Sequence, residues 1–275
     1  MPRALAYCPG IAMNAVSRPR LFLPLAVTLI AAAWVILWAW DSSPYARYLH
    51  YVDWSETGLA GLCSVAPAGL VVVPAVLHIA AWLLIIVAMM LPTMLPLLQI
   101  FERLTAARTD RKRLLLLVVL GYLSVWSAFG LLAHASDAGL HELVRRTPWL
   151  AWHGWVVGAA ILALAGGYQF SSIKYRCLDK CRSPLMFVSE QWHGSNAHRD
   201  SFLLGLRHGL FCVGCCWVLM CLMFAVGTGS IGWMLALGAV MSAEKNLPHG
   251  RRLSAPLGIA LLGWAALIVV NGLPI

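Results

Sequence analysis

One stretch of the chain carries side chains that can bind a soft metal ion or exchange disulfides. It contains His208, Cys212, Cys215 and Cys216 in an otherwise apolar run. At about 3.6 residues per turn, these four side chains fall within an arc of roughly 100° on one helix. Cys221 points to the far side of that helix, and we expect it to be a packing residue.

A second pair of thiols, Cys177 and Cys181, lies in a basic segment upstream. Residues four apart share a face when the segment is helical. Clustered thiols beside a histidine favour metal binding or redox chemistry over a secreted disulfide scaffold. Thiolate and thioether ligands select Cu(I), and Zn(II) when cysteine dominates and histidine assists. The two groups of cysteines therefore predict a soft-metal site, with Cu(I) or Zn(II) as the ion.

The composition predicts the setting of this site. Of the 275 residues, 61% are hydrophobic and only 11% are charged. This composition is typical of a polytopic membrane protein. The formal charge of +9 does not indicate nucleic-acid binding, because the basic residues occur in short blocks between apolar segments, as membrane topology requires.

We predict an all-α transmembrane helix bundle in a single domain, residues 1–275, with about seven spans. The spans are expected at residues 21–40, 74–100, 114–133, 149–170, 202–226, 231–243 and 256–270. With the N-terminus inside and the C-terminus outside, all of the 20 Lys and Arg residues except Arg47, Arg145 and Arg146 fall on the inner side. The expected location is the bacterial inner membrane, with several passes through the lipid bilayer.

Two of these spans carry features that affect helix geometry. Pro92 and Pro96 each remove a backbone hydrogen bond, so we expect the second span to be kinked. We expect this kink to expose Met90 and Met94 to the fifth span. Nothing breaks the helical pattern after the fourth span before Pro184, so we expect that helix to continue out of the membrane through both Cys177 and Cys181.

The predicted orientation brings the two thiol groups to one depth at the inner leaflet. Further candidate ligands are Met89, Met90, Met94, Met220 and Glu244. Methionine in an apolar helix is ordinarily filler, and Glu244 and Lys245 can instead form an interfacial ion pair, although an acid at a membrane helix end is also a functional candidate.

Other cysteines and histidines lack ligand spacing. Cys8 and Cys63 are expected to be packing residues, because free cysteine is usually buried. Four histidines are expected at the outer interface: His50, His134, His141 and His153.

A series of short motifs spans about residues 88 to 248. They are Ala88-Met89-Met90-Leu91-Pro92, Tyr168-Gln169, Lys174, Cys177-Leu178, Cys181-Arg182-Ser183-Pro184, Gly205, His208-Gly209, Cys212-Val213-Gly214-Cys215-Cys216-Trp217, Met220, Gly232, Trp233-Met234 and Glu244-Lys245. Through them the chain resembles a bacterial family of uncharacterised, predicted metal-binding integral membrane proteins. The resemblance implies metal binding and names neither the ion nor a reaction.

Three functions fit these observations. The first is binding of Cu(I) or Zn(II) at the cytoplasmic face to move, store or deliver it with a metal donor or acceptor protein, and here Cys177, Cys181, Cys212 and Cys215 act together. The second is a membrane thiol-disulfide oxidoreductase that uses the Cys-x-x-Cys pair Cys212 and Cys215. The third is a non-catalytic subunit of a membrane complex. No ATP-binding loop is present, and the residues leave open whether the protein is an enzyme.

Overall fold

A computed structural model describes residues 22–43, 72–192, 194, 196–226 and 231–271. Within these ranges the chain is helical and contains no strand. The helices are α1 (Phe22–Asp41), α2 (Val72–Met89), α3 (Leu91–Leu104), α4 (Arg111–Arg146), α5 (Pro148–Trp152), α6 (Trp155–Tyr168), α7 (Ser172–Arg182), α8 (Pro184–Gln191), α9 (Ala197–Val226), α10 (Ile231–Asn246) and α11 (Ser254–Asn271), with a 3-10 turn at Gly250–Leu253. The expectations for Cys8, His50 and Cys63 concern residues outside these ranges.

The structure supports the prediction of several membrane-spanning helices, although not the count of seven. Four helices of the described chain, α1, α4, α9 and α11, are long and apolar enough to cross a membrane, and the number rises to six if each of two bent helix pairs is one span. The predicted sixth span corresponds to α10, whose 16 described residues extend about 24 Å, less than a hydrocarbon core of about 30 Å. The count of seven and the orientation therefore remain predictions.

The second predicted span is broken, as its prolines suggested. α2 and α3 meet at Met90 with a bend of 64°. Pro92 lies in the first turn of α3 and Pro96 lies inside it. A proline has no N–H to donate to the preceding turn, so the helix cannot run straight through this point.

The fourth span does not continue as one helix, and that prediction was wrong. α6 ends at Tyr168, and α7 starts at Ser172 after a bend of 62°. Ser171 has an extended backbone and its side chain accepts a hydrogen bond from the Ile173 amide, which begins a new helix. α7 nevertheless keeps Cys177 and Cys181 four residues apart on a helix.

Helix α9 is the centre of the bundle and contacts α4, α6 and α7. Its packing on α4 depends on glycines. A Cβ atom added to Gly205 would lie 1.9 Å from the Val118 carbonyl oxygen, and one added to Gly121 would lie 2.2 Å from the Phe202 carbonyl oxygen. Small residues allow such close approach of two helices in a membrane.

Large apolar side chains cover much of the outer surface of this bundle. Leu25 and Val35 of α1 and Val270 of α11 are more than half exposed. A surface of this kind suits contact with lipid chains rather than with water.

Candidate functional site

The break at Met90 leaves backbone groups that need partners, and the structure supplies them. The Met90 carbonyl oxygen accepts hydrogen bonds from the Thr93 hydroxyl at 2.8 Å and from the Tyr122 hydroxyl at 3.3 Å. Tyr122 lies on α4 and is fully buried. The bend is therefore held by a tyrosine from a different helix, as broken membrane helices require.

The Met90 side chain is also buried and meets a cysteine of α9. Its sulfur atom lies 3.9 Å from the Cys216 sulfur. Two sulfur ligands about 2.3 Å from one metal ion lie about 4 Å apart when the bonds open to a trigonal angle. The Met90–Cys216 pair therefore has the spacing of two ligands of one ion.

The three cysteines of α9 are almost completely buried. The Cys215 and Cys216 thiols donate hydrogen bonds to the Cys212 carbonyl oxygen at 3.1 Å and 2.9 Å. The Cys212 sulfur lies 3.0 Å from the Tyr122 hydroxyl. These contacts hold the thiols in an otherwise apolar interior.

Lys245 brings a positive charge to the same point. Its Nζ atom lies 2.9 Å from the Cys212 sulfur, 3.8 Å from the Cys216 sulfur and 3.4 Å from the Thr93 hydroxyl. The thiol cluster therefore has an ammonium group in direct contact with its sulfur atoms. Four helices, α3, α4, α9 and α10, thus contribute polar groups to one buried cluster.

The cysteines of α7 meet those of α9. α7 packs on α9, and Cys181 is buried in the same core cluster as Cys212, Cys215 and Cys216. A Cβ atom added to Gly214 would lie 2.6 Å from the Cys177 sulfur, so this thiol packs against the α9 backbone. Cys181 is buried and Cys177 is only partly buried. The sulfur atoms therefore extend from the partly exposed Cys177 to the buried interior of the bundle.

His208 lies one turn before Cys212 and is buried with its Nδ1 atom lacking a hydrogen-bond partner. Its ring centroid lies 5.9 Å from that of Tyr122 and 5.6 Å from that of Phe187. A buried unpaired nitrogen is costly. His208 therefore carries an unpaired ring nitrogen one turn before Cys212 on the same helix.

The other candidates occupy varied positions. Met89 is buried where α2 approaches Gly238 of α10. Met94 and Met220 are fully buried. Cys221 is partly buried and packs against the apolar core.

Glu244 and Lys245 do not pair with each other. Glu244 instead accepts hydrogen bonds from Lys174 at 2.7 Å and 2.9 Å and from the Ser254 hydroxyl at 2.6 Å. Lys174 also donates to Gln169 in the α6–α7 connection. The Glu244 carboxylate is therefore occupied by a buried ion pair that joins α7 to α10, rather than facing the sulfur atoms.

Within the described residues, no three side chains of His, Cys, Asp or Glu converge on a single point as ligands of a preformed metal site. Zinc in structural sites takes four such ligands in a tetrahedron. The donor set at the thiol cluster includes the Met90 thioether, and soft sulfur ligands of this kind select Cu(I).

The comparison with known families agrees with this chemistry. The profile of the copper chaperone family PpoB2 matches residues 79–268, more than half of the chain. The chain belongs to this copper chaperone family. The match covers the α2–α3 break, the thiols and both buried lysines, and it supports copper rather than zinc as the ion. No similarity to a curated protein or to a solved structure was found.

Sequence reasoning missed two contributors to the thiol cluster of this PpoB2-family protein. Tyr122 gave a usable signal, because a tyrosine hydroxyl in the middle of an apolar helix needs a buried partner. Lys245 was considered only as a partner of Glu244, although side chains adjacent in sequence do not face each other on a helix. The contact between Lys245 and Cys212 depends on how α9 and α10 pack, and no sequence pattern reports that.

Proposed function

We propose that this protein is an integral membrane copper chaperone that binds Cu(I) through its buried sulfur atoms and delivers it to a partner protein. The observation that carries the proposal is the meeting of the Cys212, Cys216 and Met90 sulfurs in a buried cluster. Membership of the copper chaperone family supports the same conclusion.

Cu(I) is the cargo in this proposal. Cys216 and Met90 supply two ligands at suitable spacing, and Cys212 supplies a third after a small side-chain rotation. The unpaired nitrogen of His208 is available as a further ligand. A site with two or three soft ligands suits an ion that must be released again, whereas a closed four-ligand site suits a structural ion.

The cysteines of α7 provide the route to this site. Cys177 is the most accessible of these thiols, and Cys181 belongs to the same buried core cluster as Cys215. We assign the pair to the transfer of Cu(I) between the buried ligands and a soluble donor or acceptor. In the predicted orientation, the transfer takes place at the cytoplasmic leaflet of the inner membrane.

Metal analysis of the purified chain tests the proposal. The protein is isolated anaerobically without chelator, loaded with Cu(I), and compared with Cys212→Ser, Cys216→Ser and Cys221→Ser variants. We expect stoichiometric copper in the wild type, loss of most of it in the first two variants, and little change in the third. Cys221 is a matched control because it lies on the same helix away from the cluster.

The test also separates the competing thiol-disulfide function. The presence of several thiols in one core cluster, Cys181, Cys212, Cys215 and Cys216, raises that possibility. A wild-type protein that binds no copper and instead forms a reversible disulfide would contradict the proposal. Equal copper content in all three variants would show that the cysteines are packing residues.

A further inference from the structure

Lys245 is a buried cation whose nearest polar groups are sulfur atoms and hydroxyls. It is only 6% exposed, and among the described residues no carboxylate forms a salt bridge with it. The neighbouring Glu244 is bound to Lys174 instead. Lys245 thus lacks the carboxylate partner that buried lysines usually have.

The groups around Lys245 show what balances its charge. An ammonium group inside a membrane bundle is costly unless an anion lies close to it. The groups within reach of its Nζ atom are Cys212, Cys216 and the Thr93 hydroxyl. None of these groups is a carboxylate, so the sulfur cluster has an ammonium group in direct contact with it.

We propose that Lys245 is a specificity-determining residue that makes the sulfur site selective for a monovalent soft ion over a divalent one. The inference rests on the proposed function. With the Cys212 and Cys216 thiolates, the neutral Met90 thioether and the Lys245 ammonium, a bound Cu(I) ion gives a site of zero net charge. A divalent ion with the same ligands leaves one uncompensated positive charge in a buried site.

A divalent ion can escape this penalty by recruiting another thiolate or by displacing the proton of Lys245. The next cysteine along α9 is Cys215, whose thiol donates a hydrogen bond to the Cys212 carbonyl oxygen. That hydrogen bond must break before Cys215 can serve, and loss of the Lys245 proton also costs binding energy. Lys245 therefore discriminates by charge, in addition to the preference that sulfur ligands already give to Cu(I).

The test compares Cu(I) and Zn(II) affinities of the full-length chain in detergent. Each ion is titrated separately against a chromogenic chelator under anaerobic, reducing conditions, and the ratio of the two dissociation constants is compared between variants. Lys245→Met removes the charge, and Lys245→Gln removes the charge but keeps a hydrogen-bond donor. Lys180→Met is the matched control, because Lys180 is partly exposed and paired with Glu190.

We expect Lys245→Met and Lys245→Gln each to reduce the preference for Cu(I) over Zn(II) by about tenfold or more, since removal of a charge from a buried site changes binding by well over the ~1.4 kcal/mol that tenfold represents. Lys180→Met should keep the wild-type ratio. Because the two charge-removing variants differ in polarity, one of them suffices if the other does not fold.

A ratio in Lys245→Met or Lys245→Gln within about threefold of the wild type would overturn this inference and leave the copper site itself intact. Absence of Cu(I) binding in the wild type would instead remove the proposed function, and this inference with it. The two failures are therefore distinguishable by the wild-type titration alone.

Discussion

Replacing Gly205 by alanine tests whether the close approach of α4 and α9 builds the site. The added Cβ atom would lie 1.9 Å from the Val118 carbonyl oxygen, which leaves about 1.5 Å to be gained before the pair reaches the 3.4 Å of ordinary contact. A backbone oxygen cannot rotate away as a side chain can, so the two helices must separate. Overpacking usually costs about 1–3 kcal/mol, and we expect the upper end of that range.

The same separation should weaken copper binding, because Tyr122 on α4 holds the Cys212 sulfur of α9 at 3.0 Å. We expect Gly205→Ala to lower the thermal unfolding midpoint in detergent by at least about 5 °C and to lower Cu(I) affinity. Gly263→Ala is the matched control: nothing lies within 4 Å of its added Cβ, and alanine favours a helix over glycine by about 0.5–1 kcal/mol. An unchanged midpoint and affinity in Gly205→Ala would refute the reasoning.

Two further predictions concern the buried ion pair and the topology. Glu244→Gln leaves the Lys174 ammonium group buried without a carboxylate partner. We therefore expect the free energy of unfolding, measured by thermal unfolding, to fall by about 3–5 kcal/mol. The double variant Lys174→Met/Glu244→Met should recover most of that loss, and a single variant as stable as the wild type would argue against a structural role for the pair. Reporter fusions after Arg199 should report the cytoplasm and fusions after Asp53 the opposite compartment. The reverse result would move the sulfur cluster to the other leaflet.

The sequence predicted those parts of the structure that depend on local patterns. The apolar runs corresponded to helices, Pro92 indicated the break beside Met90, and helical spacing placed the α9 thiols on one arc. The end of α6 was missed because Ser171 is an ordinary residue until its side chain caps the next helix. The sequence contains neither proline nor an uninterrupted polar run at this position, so helical periodicity alone does not indicate that α6 ends there.

The partners of the charged residues were not predictable in the same way. Lys174 and Glu244 are 70 positions apart and meet because α7 packs on α10. Helix geometry explains why the Lys245 and Glu244 side chains point in different directions. The contact between Lys245 and the Cys212 thiol depends only on how α9 and α10 pack. Long-range contacts of this kind require the assembled bundle.

The glycine contact between α4 and α9 also limits how the chain can change in length. Gly205, Gly209, Cys212 and Cys216 follow one another at intervals of four, three and four residues. These intervals keep all four within a narrow arc of α9, so the surface that touches α4 is the surface that carries the sulfur atoms. Insertion of a single residue between Gly209 and Cys212 would turn the thiols by about 100° relative to the glycines. Insertions and deletions in this segment should therefore abolish the site even where the helix itself tolerates them.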